Sequence, residues 1–139
     1  QLDGRFNDDI LRLANDFPNV KVILAHCLPG GKPADLGRLF EARPNIFCEL
    51  SAQGAIQNRL SGLSRPPRVF SYDGVKADWL DLFKQHPTRV MVGSDACCGW
   101  FGSYSEMIDE IRTNLLPYLA PELMEKLAYK NAVALFNLK

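Results

Sequence analysis

Three short apolar runs set the frame of this chain, and a proline opens each of them. Pro18-Asn19 precedes residues 20–25, Pro44-Asn45 precedes residues 46–50, and Pro87-Thr88 precedes residues 89–92. Runs of this length bounded by proline predict strands. Successive rather than alternating apolar positions predict burial on both faces, as in a parallel sheet covered by helices. Between the runs the apolar spacing becomes helical. Ile10, Leu11, Leu13, Ala14 and Phe17 form one face, with Asn7 as the expected cap, Asp8 and Asp9 in the first turn, and Pro18 beyond the end. Leu36, Leu39 and Phe40 follow Pro33. Trp79, Leu80, Leu82 and Phe83 follow Asp73, the expected cap of their helix. Two more helices carry Tyr104, Met107, Ile108, Ile111 and Leu115, then Leu123, Leu127, Ala128, Ala132, Leu135 and Phe136, with Pro121 at a first helical position. The order helix, strand, helix, strand, helix, strand, helix, helix implies an α/β fold built from βα units with right-handed crossovers.

In such sheets chemistry gathers at the carboxyl ends of the strands. His26 stands eight residues after Pro18, and Asp95 eight residues after Pro87, so both should reach the same rim. An imidazole there serves as metal ligand or general base. A carboxylate ligates a divalent metal or takes a proton from metal-bound water. A structural His26, or an Asp95 that only caps its loop, is the plainer alternative. His86 precedes its strand and is expected at the opposite, structural end. Glu49 and Ser51 share a face with Phe47, which suits either a hydrogen bond near the site or a buried structural pairing. Sulfur ligation by Cys27 or Cys97 has no metal-type spacing behind it.

Residues 53–73 show no clean period and carry Arg59, Arg65 and Arg68. A connection this long is a substrate-covering loop or a variable insertion. Its arginines suit a carboxylate-bearing substrate, or form a solvated basic surface.

Val20-Lys21-Val22-Ile23-Leu24-Ala25-His26 resembles the sixth strand of the amidohydrolase superfamily, the TIM-barrel metal-dependent hydrolases. Asn45-Ile46-Phe47-Cys48-Glu49-Leu50-Ser51 resembles the seventh strand, and Arg89-Val90-Met91-Val92-Gly93-Ser94-Asp95 the eighth. Leu127-Ala128-Tyr129-Lys130-Asn131-Ala132 with Leu135-Phe136 resembles the closing helix. The resemblance implies the C-terminal portion of a (β/α)8 barrel in one domain, residues 1–139. It implies Asp95 as metal ligand and acid/base, and His26 beside the metal, a divalent ion with zinc expected. Hydrolysis of a small amide, ester or lactone follows, or decarboxylation in a related branch. The family's HxH pair and strand-five histidine are absent, since the chain has two histidines. About five βα units are therefore expected upstream of Gln1 or on a second chain, and the chain alone is expected to be inactive. The competing reading is a non-catalytic α/β interaction module. Exposed sheet edges also leave homo-oligomerisation open.

Composition narrows the partners. An apolar share of 47% supports a core, and a formal net charge of zero gives no pull toward nucleic acid or an anionic membrane. The apolar runs are too short to span a bilayer, and no signal peptide is visible at the start. The four cysteines, Cys27, Cys48, Cys97 and Cys98, lack a CxxC pair, so reduced thiols in a cytoplasmic protein are expected.

Overall fold

The computed structural model describes residues 4–51, 53, 67–95 and 104–139. Three parallel strands form its sheet: β1 (Val22–Leu24), β2 (Ile46–Glu49) and β5 (Val90–Met91), in the order β1-β2-β5. Val22 pairs with Ile46, Ile23 with Phe47, Leu24 with Cys48 and Cys48 with Val90. Parallel neighbours need a crossover, and the helices supply it. α1 (Gly4–Asp16) precedes β1, α2 (Pro33–Ala42) joins β1 to β2, and α3 (Ala77–Gln85) precedes β5. A hairpin of β3 (Phe70–Ser71) and β4 (Gly74–Val75) sits before α3. After β5 come α4 (Tyr104–Asn114), α5 (Pro121–Glu125) and α6 (Asn131–Phe136). Among the described residues no helix is long and apolar enough to cross a membrane.

The helical spacing places the core as expected in α2 and α3, whereas Leu13, Phe17, Tyr104 and Phe136 of the other expected apolar faces are exposed. Leu36, Leu39 and Phe40 of α2 are buried with Trp79, Leu82 and Phe83 of α3. Each such side chain contributes about 1.5–3 kcal/mol by leaving water. The two faces of the sheet are covered unevenly. Leu24, Ile46 and Cys48 lie under the helices, whereas Ile23 stays 37% exposed and its partner Phe47 is half-buried beneath the Arg89 guanidinium. Burial on both faces thus holds at β5, where Val90 and Met91 are both buried, and is corrected at β1 and β2, whose Ile23 and Phe47 stay partly exposed.

Two expected caps are also corrected. α1 begins at Gly4, so Asn7 lies inside it; residues 4–6 include no proline to stop the helix. Lys76 takes the N-cap position of α3 without a side-chain bond, and Asp73 lies in the β3–β4 turn, where its N–H donates to Ser71 Oγ. Pro121 does open α5.

Two buried asparagines tie the layers together. Asn45, just before β2, shares its Nδ2 group among the carbonyls of Ala14 (3.1 Å), Phe17 (3.1 Å) and Val20 (2.9 Å). Asn45→Ala would strand those carbonyls, and is expected to lower stability by about 2 kcal/mol. A urea midpoint unchanged from the parent would refute this. Asn131 does the same for β5, donating to Pro87 O (2.9 Å) and Val90 O (2.7 Å). Lys126–Lys130 is wound as a π turn, so the Asn131 N–H bonds Lys126 O instead of Leu127 O. The Leu127 carbonyl is thus free to accept the Val92 N–H at 2.9 Å, which docks the end of β5 on the closing helix.

Candidate functional site

Because β1 and β5 flank β2, the residues leaving all three strands meet at one rim. β1 stops at Leu24, and the chain turns sharply through Ala25–Cys27. His26, Cys27 and Leu28 hold φ values of 55°, 44° and 60°, all left-handed. Each costs roughly 1–2 kcal/mol for an L-residue. Such a conformation persists where its surroundings impose it, and it is found preferentially at functional sites.

Several side chains impose it. Glu49 Oε1 accepts the His26 N–H at 2.7 Å, and Gln53 Nε2 donates to His26 O at 2.9 Å. Arg68 donates to the carbonyls of His26 (3.4 Å), Cys27 (3.2 Å) and Gly31 (3.0 Å) while lying over the Trp79 ring. Burial pulls its pKa below the ordinary guanidinium value. Arg68 is half-buried, and its guanidinium is engaged by these backbone carbonyls and the Trp79 ring. Cys27 and Cys48 are joined by a disulfide with Cα atoms 4.9 Å apart. This corrects the expectation of reduced thiols for these two residues and removes Cys27 as a sulfur ligand. The left-handed turn folds Cys27 back over the β1–β2 pair, where Leu24 registers with Cys48.

The turn aims the His26 ring along the rim. Its Nδ1 lies 2.8 Å from Ser51 Oγ, and its Nε2 lies 3.8 Å from Asp95 Oδ2. Asp95 also has a left-handed backbone, φ 53°. The side chains of His26 and Asp95 are 29% and 35% exposed, enough for a small molecule to reach both. Glu49 lies deeper. Its Oε1 takes the Ser51 hydroxyl at 2.7 Å, and its Oε2 takes the Ser51 N–H at 2.8 Å.

The sequence-predicted pair, His26 and Asp95, thus converges, and Glu49 and Ser51 join it. His86 does not: it caps the end of α3 and stacks edge-on against Phe40 of α2 at 5.4 Å. Gln53, 2% exposed and bonded to the carbonyls of His26 and Ser51, escaped the sequence reading. Its one signal was position, two residues after Ser51. The covering-loop expectation, with Arg59 and Arg65, and the cysteines Cys97 and Cys98 lie outside the described residues.

Nε2 and Oδ2 are nitrogen and hard-oxygen donors, the types that zinc and similar divalent ions accept. Facing each other beyond hydrogen-bond distance, they suit a shared cation or proton donor. Two donors alone do not complete such a site. Among the described residues no group of three His, Cys, Asp or Glu could hold a metal ion.

A crystal structure of an amidohydrolase from Burkholderia multivorans, with bound HEPES, shares this fold. The match has a TM-score of 0.58 at 19% identity, and covers 97% of this chain and 50% of that one. The chain thus spans half the length of that solved protein. No curated protein sequence matches it. Residues 8–138 match the sequence model of the family described as amidohydrolase, and with nearly its whole length inside that match the chain belongs to the amidohydrolase family.

Proposed function

We propose that this chain forms the C-terminal part of a (β/α)8 barrel and contributes His26 and Asp95 to metal-dependent hydrolysis of a small amide, ester or lactone. The observation that carries the reading is the 3.8 Å approach of His26 Nε2 to Asp95 Oδ2 at the carboxyl rim of a parallel sheet. Three further facts support it. The half-length match to the solved relative leaves room for upstream βα units. Ile23 and Phe47 lie on the sheet face that a closed barrel would turn inward. Amidohydrolases generally bind divalent metals.

In this reading Asp95 and His26 would hold the metal together with ligands from outside the described residues. A divalent ion bound there lowers the pKa of water and polarises a carbonyl. Asp95 Oδ2 takes the proton from the attacking water. The resulting hydroxide adds to the carbonyl carbon, the bond to nitrogen or oxygen breaks, and Asp95 returns the proton to the leaving group. Where the metal leaves the His26 Nε2 lone pair free, it accepts a hydrogen bond from the attacking water. Glu49, Gln53 and Arg68 keep the His26 turn in place throughout.

The test begins with the coding sequence upstream of Gln1, where an HxH motif is expected. The contiguous protein is then purified, its metal measured by elemental analysis, and amides, esters and lactones offered as substrates. Tightly held divalent metal and hydrolysis of one class are expected. A protein that takes up no zinc, manganese or magnesium and hydrolyses none of them defeats the proposal; release of carbon dioxide from a carboxylated substrate would replace it with decarboxylation.

A further inference from the structure

The hydrogen atoms around His26 can be placed by accounting. Three acceptor groups surround its Nδ1. Ser51 Oγ lies at 2.8 Å, Ser51 O at 3.3 Å and Glu49 Oε1 at 3.8 Å. A carbonyl oxygen has no proton to give. A hydroxyl has one, and that of Ser51 goes to Glu49 Oε1 at 2.7 Å. Both Glu49 oxygens already receive backbone N–H groups, from His26 and Ser51. Among the described residues every neighbour of Nδ1 therefore needs it to donate.

We propose that Ser51, oriented by Glu49, is a positioning residue that fixes neutral His26 as its Nδ1–H tautomer. The Nε2 lone pair is then left facing Asp95. A histidine protonated at Nε2 would present a hydrogen to Asp95 Oδ2 and pair with it, closing the gap. With the proton on Nδ1, two acceptors confront each other 3.8 Å apart and stay available to a cation or a water molecule. The partner of one ring nitrogen thus decides what the other can bind. The functional meaning rests on the His26–Asp95 reading above, but the tautomer itself does not.

Two histidines make the test direct. Long-range nitrogen–proton NMR spectra of the nitrogen-15-labelled full chain are recorded at alkaline pH, with His86→Gln used for assignment. His26 is expected to show a protonated Nδ1 and a bare Nε2. Ser51→Ala is expected to lower the ratio of Nδ1–H to Nε2–H by about fivefold, the change one lost hydrogen bond brings. Ser51→Thr, which keeps the hydroxyl, should restore it. A parent His26 protonated at Nε2 overturns the proposal, whether or not the variants fold. So does a Ser51→Ala spectrum with an unchanged tautomer. Metal-free, inactive contiguous protein with Nδ1–H intact would instead defeat the hydrolase reading and leave this one standing.

Discussion

Asp95→Asn is expected to lower kcat/KM for hydrolysis by the contiguous protein by about 10³-fold or more, because it removes the proton acceptor and a charged ligand together. The metal content should fall with it. Asparagine is the informative replacement because Asp95 sits at φ 53°. Asn tolerates the left-handed region, whereas alanine would add backbone strain to the chemical loss. The thermal midpoint should stay close to that of the parent, which separates chemistry from folding. Full turnover with Asp95→Asn would show that the proton travels by another group. Unchanged metal content would show that the carboxylate is not a ligand.

Gly93→Ala should give the largest loss of stability. A Cβ at this position would collide with Glu49 Oε2 and stand 3.2 Å from its Cδ. The Glu49 side chain is flexible enough to swing away, but it cannot do so and keep the N–H of His26, the N–H of Ser51 and the Ser51 hydroxyl. Overpacking and stranded donors together should cost about 2–4 kcal/mol. The left-handed turn at His26 loses one of its restraints at the same time, so activity should fall even well below the melting temperature. Denaturant unfolding and kinetics on one preparation measure both effects. A parent-like unfolding midpoint would mean that Glu49 has room to relax, and that the rim does not depend on its present position.

Much of this arrangement was legible because proline and apolar spacing are local signals. Pro33 and Pro44 bracket α2, and the run after Pro44 is β2 to within a residue. The convergence of His26 and Asp95 followed from topology, since parallel strands deliver their carboxyl ends to one side. The caps at Asn7 and Asp73 failed because a capping preference is weak beside the packing of a whole helix. The Cys27–Cys48 link was illegible because it needs both the strand register and three consecutive left-handed residues. Arg68 and Gln53 stand in a stretch without clean period, yet both hold backbone carbonyls across more than twenty positions of sequence. Gly93 was a missed clue: glycine beside a strand often marks the close approach of another group, here the Glu49 carboxylate.

The widened coil at Lys126–Lys130 gears the rim to a distant count of residues. Val92, three positions ahead of Asp95, leans on a carbonyl that exists only because the coil holds one residue too many for regular winding. Excising a residue there would let the spiral tighten, reclaim that carbonyl and set the carboxylate adrift. The winding of the closing helix thus sets where β5 ends, and with it the placement of the proposed site.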